Sequence, residues 1–193
     1  MSTELRYSGS GTDSKIKYPT DFMNSGSRLT NDFYLRDVLN VAPELIGKEI
    51  VVRSENDSCK RFAITEVEAY RGNEDKACHA SKGRTKRTEI MFCEGGKIYV
   101  YFVYGMFWML NVVTAEKDNP QAVLIRGVMG FRGPGILTRE IGINGSYYGE
   151  DLTQSHRIWI EDVGIYPLVK TGKRIGIDYA GEPWKNKPWR FYV

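Results

Sequence analysis

The sequence predicts an α+β fold, a single domain built on an antiparallel or mixed β-sheet, and three observations carry that reading. The chain has 193 residues, close to one domain at roughly 150 residues each and long enough to bury a core without disulfide staples. Between residues 49 and 128, β-prone apolar runs follow one another with polar turns between them. Helical periodicity is confined to the flanks of that stretch, which argues against alternating βαβ units. With 41% hydrophobic and 26% charged residues, wholesale disorder is excluded. No run reaches the roughly 18 apolar residues of a membrane span; the longest, 98–110, is interrupted by Gly105. The first ten residues hold no apolar signal core, so a cytosolic protein is expected, or a nuclear one in a eukaryote.

The elements follow in order. Residues 1–28 are rich in Ser, Thr and Gly and read as a flexible leader, leaving 29–193 as the folded domain. Thr30, Asn31 and Asp32 offer N-caps for a helix whose apolar residues Phe33, Leu35, Val38, Leu39 and Ala42 recur at helical spacing. Pro43 opens a second short turn over 42–46, which Gly47 ends. Strands are expected over 49–53 and 61–69 around the polar turn 54–60, then over 97–103, 107–115 and 121–128. The turn 116–120 joins the last two as a hairpin. Gly133-Pro134-Gly135 introduces a helix over 136–141, 142–149 is loop, 151–153 one helical turn, and 157–161 a strand. Short segments at 174–177 and 190–193 close the chain.

Charge is small in sum and uneven in placement. Lys and Arg number 27 against 24 Asp and Glu, a net +3. Lys82, Arg84, Lys86 and Arg87 crowd into 81–88 without an acid, and Lys170, Lys173, Arg174, Lys185, Lys187 and Arg190 face only Asp178 and Glu182 in the tail. Such clusters suit a nucleic-acid or phosphate surface; a solvated basic face is the alternative. Cys59, Cys78 and Cys93 form no disulfide framework. His79 beside Cys78 lacks the ligand spacing and the fourth ligand of a structural zinc site, so no metal is expected.

Three places carry chemistry. Along the strand at 61–70, alternation puts Phe62, Ile64, Glu66, Glu68 and Tyr70 on one face, and a carboxylate late in an apolar strand is costly unless paired or used. The stretch from Tyr99 to Trp108 holds six aromatic residues. There Tyr101, Tyr104 and Met106 flank a turn that Gly105 permits, a shape suited to wedging into a base stack. Asn111 and Arg126 lie inside apolar strands; an Arg so placed wants a carboxylate, and Glu68 is the candidate. Each feature also has a plain structural explanation: a solvated strand edge, ordinary core aromatics, a buried ion pair.

Taken together the motifs resemble a known family. Thr65 to Tyr70, Glu74-Asp75, His79, Met91-Phe92, Tyr99-Val100-Tyr101, Tyr104-Gly105-Met106, Asn111-Val112, Leu124-Ile125-Arg126, Gly133-Pro134-Gly135, Ile143-Asn144 and Arg190 to Val193 occur in that order. Over about residues 30 to 193 the chain is similar to the alkyladenine (3-methyladenine) DNA glycosylases. The resemblance implies a strongly curved antiparallel sheet with helices around it, like the C-terminal domain of formyltransferases. It implies that Glu68 activates water for attack on the deoxyribose C1′ and that Arg126 helps hold that water. Tyr70 and His79 would sandwich a flipped base, and Tyr101 would complete the pocket. Asn111 would disfavour normal guanine through its exocyclic amine. Tyr104, with Met106, would fill the gap in the minor groove, and Lys82, Arg84, Lys86 and Arg87 would meet the DNA backbone. No cofactor is implied; the partner is double-stranded DNA containing damaged purines, and the protein acts as a monomer. Lys86, Thr88 and Ile136 depart from the family pattern, where proline, asparagine and lysine are common.

The parts agree physically. A base within a duplex must be extruded at a cost of a few kcal/mol. A cationic alkylated purine is drawn to π faces and leaves readily, so the enzyme has mainly to supply a poised water. No lysine stands at position 68, which points to base release without Schiff-base strand cleavage. A catalytically silent DNA binder and a hydrolase of free nucleosides are the competing readings.

Overall fold

The computed structural model describes residues 26–193, so the leader expected over 1–28 lies outside the described residues except for its last three. Two of those, Ser27–Arg28, form β1 and pair with β8 (Ile158–Asp162). Where one helix was expected from Thr30 through Ala42, there are two, α1 (Asn31–Tyr34) and α2 (Val38–Leu45). The break comes at Asp37, whose carboxylate accepts the Leu39 N–H at 2.9 Å and caps a fresh helix. Pro43 lies inside α2 instead of opening a separate turn.

The strands are β2 (Glu49–Arg53), β3 (Cys59–Arg71), β4 (Ile98–Val103), β5 (Phe107–Thr114), β6 (Gln121–Val128), β7 (Phe131–Arg132), β8, β9 (Lys170–Gly172) and β10 (Arg190–Tyr192). They form one sheet along the path β1-β8-β2-β3-β6-β5-β4, with β10 bridging β3 and β9 and β7 on β6. Every pairing among the described strands is antiparallel. Helix α3 (Pro134–Ile141) starts two residues before the expected 136, since Pro134 fits the first helical turn. The expected helical turn at 151–153 is absent: Asp151 bridges Lys97 and its carboxylate accepts the Thr153 N–H, which makes a turn. No helix among the described residues is long and apolar enough to cross a membrane.

The sheet has two differently used faces. On one, Ile64, Val67, Ala69, Val100, Val112, Val123 and Ile125 pack with Val38, Val41 and Leu45 of α2 and Leu137 of α3 as the main core. On the other, Tyr99, Val113 and Ala122 pack with Cys78, Ala80, Met91 and Phe92, and Tyr70 and Tyr101 border them. This corrects the predicted face of β3. Ile64 joins Val67 and Ala69 in the core, because the ladder to β6 is irregular between Ile64 and Val67. One extra residue on each strand there inverts the alternation. Glu66, Glu68 and Tyr70 therefore share a face that Phe62 and Ile64 do not, and Arg126 of β6 joins them.

Candidate active site

A single row across the sheet sets out most of the site. Tyr99 opposes Asn111, Asn111 opposes Leu124, Leu124 opposes Glu68, and Glu68 opposes Arg190. Directly opposed residues share a face, so the polar side chains of four strands line up on the side away from the main core.

Glu68 is completely buried, at 0% exposure, yet well supplied with donors. The Tyr70 hydroxyl donates to its Oε2 at 2.8 Å and the Ile175 N–H to its Oε1 at 2.7 Å. Arg126 Nε lies 3.4 Å from the same Oε1. Burial pushes the carboxyl above its usual range, while Arg126, the Ile175 amide and Tyr70 pull it back. A carboxylate that holds a proton more tightly than usual is the stronger general base. Arg126 does not serve Glu68 alone, as the sequence suggested: its Nε is closer to Glu66 Oε1, at 3.0 Å, which also accepts from Arg190 Nη1 at 3.2 Å. Glu66 is less buried than Glu68, so a cation reaches it at smaller desolvation cost.

Next to Glu68 is an aromatic pocket lined by Tyr70, Ala77, His79, Met91, Tyr99, Tyr101, Asn111, Ala122 and Tyr179, with a cavity volume of about 40 Å³. The structure thus brings together all four residues assigned to a base pocket, Tyr70, His79, Tyr101 and Asn111. His79 is held by its Nδ1 at 2.8 Å from the Tyr99 hydroxyl, and its ring meets Tyr101 edge to face with centroids 4.7 Å apart. Desolvation, with help from nearby Arg87 and Lys82, lowers its pKa to about 4, so the ring is neutral at pH 7. Asn111 donates from Nδ2 to the carbonyls of Tyr99 and Met109 at 3.1 and 3.3 Å. Its Oδ1 is left as an acceptor without a protein partner among the described residues.

Tyr104 and Met106 sit apart, at the tip of the β4–β5 hairpin, 87% and 67% exposed. Tyr104 has φ 52° and Gly105 φ 65°, and the Met106 N–H bonds the Val103 carbonyl at 3.1 Å. Two positive φ angles within such a turn match type I′ geometry, which glycine adopts freely and tyrosine does not.

The basic run divides. Lys82, Lys86 and Arg87 are exposed, and the Arg87 guanidinium stacks 4.9 Å from the Tyr101 ring centroid at the pocket's edge. Arg84 instead pairs with Glu89 at 2.8 Å and with Asp118, and lies over Phe92. Its charge is matched by two exposed carboxylates of the protein itself. Among the described residues no group of three or more His, Cys, Asp or Glu is arranged to hold a metal ion.

Sequence reasoning missed Asp75, Arg174, Ile175 and Tyr179. Arg174 and Asp75 form a buried pair behind Tyr70, and Tyr179 lines the pocket, its hydroxyl donating to the Ala77 carbonyl at 3.2 Å. All but Asp75 lie in a tail without periodicity, about 100 residues from their partners.

Comparison with known proteins identifies relatives over most of the chain. The methylpurine-DNA glycosylase family matches residues 32–131 and 129–193. The chain is 41% identical over 178 residues, covering 89% of it and 92% of the relative, to a candidate 3-methyladenine DNA glycosylase of Rickettsia rickettsii (strain Sheila Smith). It is 42% identical over 194 residues, 86% of this chain and 95% of the relative, to one from Desulfitobacterium hafniense (strain Y51). A similar protein of Natranaerobius thermophilus shares 38% over 191 residues.

Proposed function

Given that this chain belongs to the methylpurine-DNA glycosylase family, and so is a DNA N-glycosylase of DNA repair, we propose that it extrudes a damaged purine from duplex DNA and releases it by hydrolysis. The observation that carries this is the buried Glu68, hydrogen-bonded to Tyr70 and Ile175, beside an aromatic pocket.

In this reading Glu68 takes a proton from a water that attacks C1′. The N-glycosyl bond breaks, and its electron pair leaves with the base. For a cationic alkylated purine that pair neutralises the base, so no proton donor is needed; a neutral lesion such as hypoxanthine requires one. Arg126 has Nη groups free of protein partners among the described residues and holds the water or the sugar-phosphate beside Glu68. Tyr70, neutral His79 and Tyr101 present ring faces to the base, worth up to about 2 kcal/mol for a desolvated cation. The Oδ1 of Asn111 offers an acceptor on the base edge. Tyr179, largely exposed, lines the pocket beside these residues. Tyr104 and Met106 keep the opened stack apart.

The chemistry is base release alone, since no lysine stands where a Schiff base would form. One copy suffices, because every group named comes from one chain.

The test separates chemistry from binding. Glu68→Gln keeps the shape and loses the base, so single-turnover base release from a duplex holding one methylated purine should fall by about 10² or more. Equilibrium binding to the same duplex should survive. Near-native turnover by Glu68→Gln would remove the catalytic assignment. Equal rates for native protein on free nucleoside and on duplex would favour a nucleoside hydrolase.

A further inference from the structure

The reaction proposed above uses Glu68, Tyr70 and Arg126 but gives no duty to the ion pair behind them. Asp75 and Arg174 are wholly withdrawn from solvent, with side-chain exposures of 0% each. Arg174 grips Asp75 with both ends of its fork, Nη1 to Oδ2 at 2.5 Å and Nη2 to Oδ1 at 2.9 Å. The same two nitrogens donate to the carbonyls of Ala69 at 3.0 Å and Trp184 at 3.3 Å. Its plane sits between two rings, 4.8 Å from the centroid of Tyr70 and 5.1 Å from that of Trp189. Asp75 in turn accepts the N–H groups of Arg71 and Ala77 at 3.2 and 3.0 Å.

As a stabilising device this pair is poor. Buried ion pairs are often equalled or bettered by apolar side chains of similar volume. This one also leaves the Nε of Arg174 buried with no hydrogen-bond partner, an added cost. Its placement is what distinguishes it. Arg174 fastens the tail to β3 at Ala69, between Glu68 and Tyr70, and the next residue in the tail is Ile175, whose N–H sits 2.7 Å from Glu68 Oε1. The ring it stacks on belongs to Tyr70, whose hydroxyl holds the other oxygen of Glu68 at 2.8 Å. Both neutral donors to Glu68 are therefore set by one guanidinium.

We infer that Asp75 and Arg174 are positioning residues for base release: their buried pair fixes the Ile175 amide and the Tyr70 hydroxyl on Glu68, and thereby aims the carboxylate at its water. This rests on Glu68 being the base. The charged and titratable groups that face Glu68 are Glu66 and Tyr70 on its own strand, Arg126 on β6, Tyr101 on β4, Arg190 on β10, and Arg174 and Tyr179 in the tail. Of these, only Arg174 governs the position of two hydrogen-bond donors at once.

Arg174→Lys keeps the charge but cannot hold Asp75, Ala69 and Trp184 together or stack as a plane. Asp75→Asn keeps the shape and removes the anchoring charge. Each should slow single-turnover base release from a methylated-purine duplex by about 10-fold to 100-fold, the scale of an ångström-sized misplacement. Each should leave lesion binding within about twofold and carry the acid limb of the pH–rate profile to higher pH, as Glu68 loses donors that favour its anion. In a Glu68→Gln background, Arg174→Lys should add almost nothing, because it acts through the group already removed. Native rates and an unmoved acid limb in folded Arg174→Lys, with Glu68→Gln inactive, would overturn the inference and leave the base intact. Additive losses in the double variant, or loss of the folded state in both single variants, would make the pair structural and overturn it as well. Native turnover by Glu68→Gln would bring down the base and this inference together.

Discussion

His79 shows how burial sets the state of a side chain that the sequence could only place. Its pKa is lowered from 6.5 to about 4, by desolvation first and then by Arg87 and Lys82. A depressed folded-state value means the unfolded chain takes up the proton first. The associated stability is complete above about pH 6.5 and is lost as pH falls toward 4, at roughly 1.4 kcal/mol per unit for one such group. His79→Gln should flatten the acid side of the stability profile between those values, as read by denaturant midpoints. An unchanged profile would mean the imidazole is charged or freely solvated in the folded state. Tyr104 is a second residue whose backbone is informative. At φ 52° a tyrosine bears a left-handed conformation that costs roughly 1–2 kcal/mol and that asparagine tolerates. An 87% exposed side chain recovers none of that by packing, so the strain is retained for something outside the chain. Tyr104→Asn should raise stability by about 1 kcal/mol. It should also slow excision from duplex by about tenfold or more, with a much smaller loss on a single strand, where no stack has to be held open. Equal losses on the two substrates would make Tyr104 a pocket residue.

At the scale of elements, the strands were legible and their faces were less so. The apolar runs of β2, β4, β5 and β6 are long enough for their period to show. Glu68 and Tyr70 on β3, Asn111 on β5 and Arg126 on β6 stood out as polar or aromatic residues in apolar company, whereas His79, off the strands, entered the pocket only with the family resemblance. Alternation failed at Thr65 and Glu66, because a paired irregularity on β3 and β6 leaves no mark in the period of either strand alone. Its one local sign is Gly127, where a Cβ would come within 3.1 Å of Thr65 Oγ1 and 3.3 Å of Glu66 Cβ. The hydroxyl can rotate away; the Glu66 Cβ is fixed by the strand. Gly127→Ala should therefore cost about 1 kcal/mol, the low end for overpacking. It should also slow base release by displacing Glu66 and, through it, Arg126. Native stability and rate together would show that the two strands absorb the methyl group without moving the site. The tail was the least legible element. Arg174, Ile175 and Tyr179 lie in short turns whose meaning comes from partners about a hundred residues away, and Asp75 entered only as part of the Glu74-Asp75 motif, with no role attached.

For the whole molecule, a net charge of only +3 cannot by itself draw the chain to DNA, so attraction depends on which cations remain uncommitted. Arg84 is paired with Glu89 and Asp118, Lys185 with Glu182 at 3.3 Å, and Arg190 with Glu66 and the Lys173 carbonyl. Lys82, Lys86 and Arg87 make no ion pair among the described residues, and Lys82 and Arg87 lie close enough to His79 to lower its pKa. Part of the open charge, on Lys82 and Arg87, thus sits beside the pocket; Lys60, Lys76, Lys117, Arg132, Lys170, Lys173 and Lys187 also make no ion pair among the described residues. Each phosphate neutralised contributes about −0.9 to the slope of log K against log salt on duplex DNA. Three contacts from this loop alone give a slope near −2.7, steeper if Lys170, Lys173 or Lys187 also reach phosphates. Lys82→Ala and Lys86→Ala should each make the slope shallower by about 0.9, with uniform weakening across sequences. Arg84→Ala should leave the slope nearly unchanged while loosening the loop, because its charge is already neutralised by two carboxylates. Titrations of a fluorescent duplex over a range of salt concentrations would distinguish these outcomes. A slope near zero for the native protein would contradict phosphate contact altogether. A slope that responds to Arg84→Ala as strongly as to Lys82→Ala would mean that the ion pairs of Arg84 open when DNA arrives, and that the loop is rebuilt on binding.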